Sequence, residues 1–270
     1  MFDAADSVFA DSIPEIYDEH LVPLIFEQYA NDLARRARSL DPREVLEVAA
    51  GSGVVSRAVA AVLDPSAKYV VTDLNPPMLK RAESMEVDRG RIVWRAADAM
   101  DLPFDDDSFD LVLCQFGAMF FPDRVRAYKE ARRVLRGNGA FVFSMWDRLE
   151  ENEFAFEVTQ ALAGVFPDDP PRFLDRTPHG HYEWDTYRSE LAAAGFDNVT
   201  IETVDAVSAA PDPSIPAIAY CKGTPLRIEI EARNPPTLEH ATRQAANAIR
   251  ERFGDGPIAS QIRAFVITAM

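Results

Sequence analysis

Residues 45–60 read "VLEVAAGSGVVSRAVA". An apolar run, Val45–Val48, ends in the small-residue turn "AAGSG", and a helical pattern with Val55, Val59 and Val62 on one side begins at once. Glycine lets a backbone pass close to a ligand and tolerates positive φ, and a helix opening there aims free N–H groups at the same place. The unit is strand, glycine turn, helix.

The pattern repeats downstream. Further apolar strands are expected at Tyr69–Thr72, Ile92–Arg95, Leu111–Cys114 and Ala140–Trp146. Asn75-Pro76 opens a helix between two of them. "PDRVRAYKEARRVLR" is a helix closed by the glycine turn Gly137–Gly139, and "ARRVLR" within it reads as a solvated helix face. Upstream, residues 14–40 are expected to be helical, with Pro14 and Pro23 each in a first turn. Strands alternating with helices imply an α/β fold, a doubly wound parallel sheet covered on both faces. Such sheets bind ligands beyond the carboxyl ends of their strands, at the switch point. After Trp146 the pattern changes to a helix at Phe154–Phe166, a proline-rich loop long enough for a lid or pocket wall, a helix at Trp184–Ala194, a strand at Val199–Val204, a mostly helical insertion over 207–256 and a last strand in "IRAFVITAM".

Composition narrows the partners. The 270 residues carry 28 basic and 44 acidic side chains, a net charge of −16, which repels phosphate backbones and anionic lipid heads. Nucleic acid is not expected as a partner. The start, "MFDAADSVFADS", lacks a secretory pattern, and no apolar run approaches the roughly 20 residues of a membrane span. A cytoplasmic location is expected. Cys114 and Cys221 sit in apolar surroundings and read as core residues.

The chemistry collects at the strand ends. Asp73, ending the second strand, can accept both hydroxyls of a ribose. Asp98, just past the third, can accept from an exocyclic adenine amine while the Ala99 N–H donates to a ring nitrogen, with Leu102, Pro103 and Phe104 as apolar walls. Phe116, Phe120 and Phe121 follow the fourth strand. Glu47 is an acidic residue in an otherwise apolar strand, and a buried carboxylate demands a partner; it can orient a ligand ammonium or bond the turn. His179 and His181 in "TPHGHYEWDTY" are candidates for a base, since histidine titrates near neutrality. No metal site is expected.

"VLEVAAGSG", "VVTDLNPPML", "ADAMDLPFDDDSFDLV" and "ARRVLRGNGAFVFSMW" follow in order, and together they resemble the class I S-adenosylmethionine-dependent methyltransferases, in the branch similar to quinone-precursor C-methyltransferases. The resemblance covers residues 40–150 and extends weakly to Leu191–Val204. It implies a Rossmann-like methyltransferase fold of seven strands, the last antiparallel, with helical N-terminal and late insertions forming a cap. The whole would be a single domain: N-terminal helices at 1–40, a cofactor-binding core at 41–150, and lid, substrate elements and last strands at 151–270. It implies S-adenosylmethionine as cofactor, S-adenosylhomocysteine as product and a small, partly apolar acceptor. By resemblance Glu47 holds the methionine end, Ala49, Gly51 and Gly53 form the turn beneath it, and Asp73 binds the ribose. Leu74 and Met78 flank the adenine, Asp98 and Ala99 read its edge, and Gln115 lies near the amino-acid portion. Tyr17, or else Tyr29, closes over the cofactor. Ala49 replaces the family's usual glycine, which a negative φ would permit. Two alternatives are a nicotinamide-dependent oxidoreductase, against which Ser56 stands where the dinucleotide fingerprint needs its third glycine, and a non-catalytic module that senses the nucleoside cofactor.

Overall fold

The structure, a computed structural model, describes residues 13–86, 90–233 and 235–270; the N-terminal stretch read for a secretory pattern lies outside them. Its strands are β1 (Glu44–Glu47), β2 (Lys68–Asp73), β3 (Ile92–Ala96), β4 (Phe109–Gln115), β5 (Leu135–Trp146), β6 (Val199–Ala210) and β7 (Ile258–Ala269). Its helices begin with α1 (Ile13–Ile16), a π-helix (Tyr17–Phe26), α2 (Glu27–Leu40), α3 (Val54–Ala60), α4 (Pro76–Ser84) and α5 (Arg124–Val134). They continue with α6 (Glu153–Val165), α7 (Phe173–Arg176), α8 (Trp184–Ala193), α9 (Ser214–Lys222), α10 (Leu226–Ala232) and α11 (Leu238–Phe253).

The seven strands form one sheet in the order β3-β2-β1-β4-β5-β7-β6. β1 pairs in parallel with both β2 and β4, so the strand order reverses there. That is the switch point at which doubly wound sheets open a crevice. β2 with β3 and β4 with β5 are also parallel. Asn198 and Met270 exchange backbone hydrogen bonds, so the start of β6 faces the end of β7 and that pair is antiparallel.

Packing divides the chain into two compact units. The first comprises residues 27–145, 183–203 and 265–270. Val45, Leu46, Leu111, Val112 and Leu113 are fully enclosed on its central strands. Tyr128 of α5 lies 5.7 Å from Phe141 and 5.3 Å from Phe143, centroid to centroid. These three rings seat α5 on the odd-numbered face of β5, because strand side chains alternate. A bidentate pair of Arg124 and Glu190 joins α5 to α8.

The second unit holds residues up to 26, 146–182 and 204–264. α6 and α11 pack through Phe154 and Phe253, 5.0 Å apart and edge to face. The proline-rich segment is folded rather than loose: Glu229 of α10 accepts from the Arg172 N–H at 2.6 Å and from the Arg176 guanidinium at 2.7 Å. Gly180 passes so close to the Arg176 carbonyl that a Cβ would lie 2.1 Å from its oxygen. The segments 1–40, 41–150 and 151–270 read from the sequence do not coincide with these two units. Among the described residues no helix is long and apolar enough to cross a membrane.

Three local expectations are corrected. Pro23 lies inside the π-helix rather than opening a helix; an i→i+5 pattern is rare beyond a single turn. Gly137–Gly139 does not cap α5. The chain enters β5 directly at Leu135, which is extended and buried, and the glycines fall in an irregular stretch where Leu135–Ala140 face only Phe109–Leu111. Nor is "ARRVLR" a solvated face: Arg133 and Arg136 are engaged by Glu130, Asp106 and Asp110. Cys114 and Cys221 are free and buried, as expected, and burial pushes both thiols up to about 12, which makes them poor nucleophiles.

Candidate functional site

Within the first unit the carboxyl ends of β1, β2 and β4 meet around the glycine turn. Val48 donates to Leu113 of β4 at 2.9 Å, whereas Ala50 donates to Thr72 of β2 at 3.0 Å. In a regular strand, residues two apart point their N–H groups to the same side. Here they point to opposite neighbours, so the backbone reverses at Ala49, which has φ +53°. The negative φ that would make alanine harmless is not what the turn uses. A left-handed alanine costs about 1–2 kcal/mol. Phe116, just past β4, has φ +52°, and strained backbone of this kind clusters at ligand sites.

Ala49 also dictates its neighbour. A Cβ at Gly117 would lie 2.5 Å from the Ala49 Cβ and 2.9 Å from Cys114 Sγ. Gly117→Ala is expected to cost about 2–3 kcal/mol, of which about 1 kcal/mol disappears in an Ala49→Gly background. Urea denaturation of the four proteins measures that coupling, and strictly additive effects would refute the contact.

Asp73 ties the turn to β2. Its Oδ2 accepts from the Gly51 N–H and its Oδ1 from the Asn75 N–H, both at 2.7 Å. Burial pushes this carboxyl up and the two amides pull it back. The backbone of Asp73 accepts from the Ala97 N–H at 3.1 Å, which brings Asp98 and Ala99 beside it, both half-buried. Asp98 Oδ1 accepts from the Met100 N–H at 2.8 Å. The site thus places two acceptor carboxylates at adjoining strand ends. Leu74 stands between them in the sequence and is 66% exposed, an open apolar surface. Met78, paired with it in the sequence reading, is buried; a Cβ on Gly51 would lie 3.8 Å from Met78 Cε. Gln115 ends β4, half-buried.

Glu47 is almost wholly enclosed at 1% exposure. Its Oε2 accepts from Ser56 Oγ at 2.8 Å and from the Tyr69 hydroxyl. Its carbonyl accepts from Thr72 Oγ1 at 2.9 Å. Desolvation pushes its carboxyl up to about 7. The sequence alone does not pair Ser56 or Tyr69 with Glu47. Strand periodicity puts Glu47 on a face but does not say which side chain of a neighbouring strand reaches it.

The remaining candidates lie in the second unit. Tyr17 stacks on Phe26 at 5.0 Å. His179 is buried, and its Nδ1 bonds the Asp147 carbonyl at 2.8 Å. A carbonyl only accepts, so Nδ1 carries the proton and Nε2 a lone pair. Burial holds its pKa down to about 4. His181 is half-buried.

Residues 46–143 match a family model described as a methyltransferase domain. The chain is 31% identical over 173 residues to the ubiquinone/menaquinone biosynthesis C-methyltransferase UbiE of Bordetella avium, covering 61% of this chain and 68% of that protein. It is 34% identical over 179 residues to a malonyl-[acyl-carrier protein] O-methyltransferase of Geobacter sulfurreducens, covering 65% of this chain and 64% of the relative. The chain therefore spans about two thirds, or slightly less, of the length of the curated relatives it matches. The crystal structure of the YcgJ protein from Bacillus subtilis shares the fold, with a TM-score of 0.56 at 19% identity over 90% of this chain and 97% of that one.

Proposed function

This chain belongs to the class I S-adenosylmethionine-dependent methyltransferases, and on that premise we propose that it is a cytoplasmic enzyme that methylates an oxygen, nitrogen or carbon nucleophile of a small, partly apolar organic acceptor. S-adenosylhomocysteine is the product. The similar proteins named above carry C- and O-methyltransferase names, and both kinds of acceptor atom fit this reading.

The observation that carries it is the pair of acceptor carboxylates, Asp73 and Asp98, at neighbouring strand ends beside the switch-point turn. A ligand rich in O–H and N–H donors, with a flat apolar ring to cover Leu74, complements that donor-poor rim. Asp73 keeps lone pairs for a ribose diol, and Asp98 with the Ala99 N–H complements the adenine edge. Ala49, Gly51 and Gly53 form the floor, Glu47 stiffens it from below, and Gln115 lies toward the amino-acid portion. When bound, the cofactor's sulfonium supplies an electrophilic methyl for in-line displacement. The chain's contribution is to hold donor and acceptor in attack geometry. Tyr17 is the proposed cover.

His179 is the proposed base for an acceptor that must lose a proton, since its Nδ1 is anchored and its Nε2 is a lone pair. With its pKa at about 4, His179 stays in the base form down to about pH 5. The acid limb of kcat is therefore expected near pH 4–5 rather than 6.5. An acid limb in His179→Asn identical to that of the unaltered protein would remove the residue from the mechanism.

The nicotinamide alternative is not favoured. Ser56 fills the position of the third glycine with a side chain buried against Glu47, and Asp98 has no role in it. Calorimetric titration with S-adenosylmethionine and, separately, NAD tests the reading. Micromolar binding of the first alone is expected, and binding of NAD alone would overturn it.

A further inference from the structure

We propose that Glu130 and Arg133 of α5, with Arg126 two turns earlier, are positioning residues that fix the loop carrying Asp98 and Ala99 and thereby set selectivity for adenine; the proposal rests on reading the site as one for S-adenosylmethionine. The loop after β3, residues 97–108, has little regular structure of its own, and a surface loop left to itself is mobile. This one is gripped. Glu130 Oε2 accepts from the Leu102 N–H at 2.7 Å, while Arg133 Nη2 donates to the Leu102 carbonyl at 2.9 Å. One ion pair thus satisfies both backbone groups of one residue, as a neighbouring strand would. Arg133 Nη1 also donates to the Phe104 carbonyl at 2.7 Å and to Asp106 at 2.8 Å. Glu130 holds the guanidinium in its fork at 2.7 and 2.8 Å.

Nearer the site, Arg126 Nε donates to the Met100 carbonyl at 2.8 Å. The Met100 N–H in turn donates to Asp98 Oδ1. On the far side the Phe104 ring lies under the Arg95 guanidinium, 5.2 Å from centroid to Cζ, and edge-on to Phe109 at 5.2 Å. These restraints leave Asp98 Oδ2 and the Ala99 N–H with hydrogen-bonding capacity among the described residues. An acceptor and a donor on adjacent residues, held by a rigid backbone, distinguish an amine-bearing purine from an oxo-bearing one, because the wrong edge leaves a buried group unpaired.

The guanidinium fork is what lysine cannot reproduce. Calorimetry with S-adenosylhomocysteine and with its inosine counterpart, in which the exocyclic amine is replaced by oxygen, reads the effect directly. The unaltered protein is expected to prefer the adenine form by about tenfold or more. In Arg133→Lys and in Arg126→Gln that preference should fall to within about threefold, with the thermal midpoint of Arg126→Gln shifted little, since it loses one exposed bond. A merely structural role would weaken both ligands equally and leave their ratio intact; an intact ratio in either folded variant overturns the clamp. If Arg133→Lys fails to fold, Arg126→Gln decides alone. Equal binding of the two ligands by the unaltered protein also overturns the clamp while sparing the methyltransferase reading. Failure of the unaltered protein to bind either overturns both.

Discussion

Replacing Asp73 with alanine is expected to weaken S-adenosylmethionine binding by about 100-fold or more, equivalent to roughly 3 kcal/mol. Two losses combine. On the proposed reading the ligand loses its ribose acceptor, and the protein loses the two short bonds from the Gly51 and Asn75 amides. Hydrogen bonds to a charged acceptor contribute about 1.5–3 kcal/mol each, and the Gly51 N–H is left without a partner in the middle of the turn. Asp73→Asn separates the two effects. Its amide oxygen still accepts from one of the two N–H groups, so the turn is partly kept while the charge is lost, and intermediate affinity is expected. Calorimetry gives the affinities, and thermal denaturation shows how much of the loss is folding. Binding by Asp73→Ala within threefold of the unaltered protein would remove Asp73 from the ribose subsite.

Much of the sheet is legible in the sequence because strands β1–β4 are short apolar runs bounded by turn residues, and their observed ends fall within about two residues of the expected ones. The antiparallel last strand came by resemblance and is observed at Asn198 and Met270. The misreadings share a cause. A glycine cluster after a helix looks the same whether it caps the helix or fills a strand irregularity; the choice is made by Leu135, which gains burial by pairing with Phe109 at once. The basic run of α5 looks solvated until the loop after β3 is folded over Arg133. Ala49 illustrates the same point at the site. Its left-handed backbone follows from β1 hydrogen-bonding β4 at Val48 and β2 at Ala50, and strand order is a tertiary fact. The candidate site residues near the turn, Glu47, Asp73 and Asp98, stand out locally in the sequence and are readable there as candidates. The partners that position them, Ser56, Tyr69, Glu130 and Arg133, come from neighbouring elements and are not.

Glu47 gives a prediction with a definite sign. Its folded pKa, about 7, is raised by burial above the ordinary value near 4.3. The unfolded chain therefore releases this proton at lower pH than the native one. The stabilisation from holding Glu47 protonated is complete below about pH 4 and is lost as pH rises to about 7, amounting to a few kcal/mol. Other carboxyls titrate over the same range, so the informative quantity is the difference between the unaltered protein and Glu47→Gln. A glutamine oxygen accepts from both Ser56 and Tyr69 without ionising. That difference should favour the variant progressively from pH 5 to 7.5 and then level off. Glu47→Ala is the opposite case. It leaves the Ser56 and Tyr69 hydroxyls without their acceptor in a sealed core, together with a cavity, and should cost about 3–5 kcal/mol near pH 4, a cost that shrinks by a few kcal/mol toward pH 7 as the unaltered protein loses its own Glu47 stabilisation. Urea denaturation at four or five pH values distinguishes the two. A pH-independent difference for Glu47→Gln would mean that the carboxylate is ionised throughout, held by the two hydroxyls despite its burial, and the floor of the turn would then carry a fixed negative charge beneath the proposed methionine subsite.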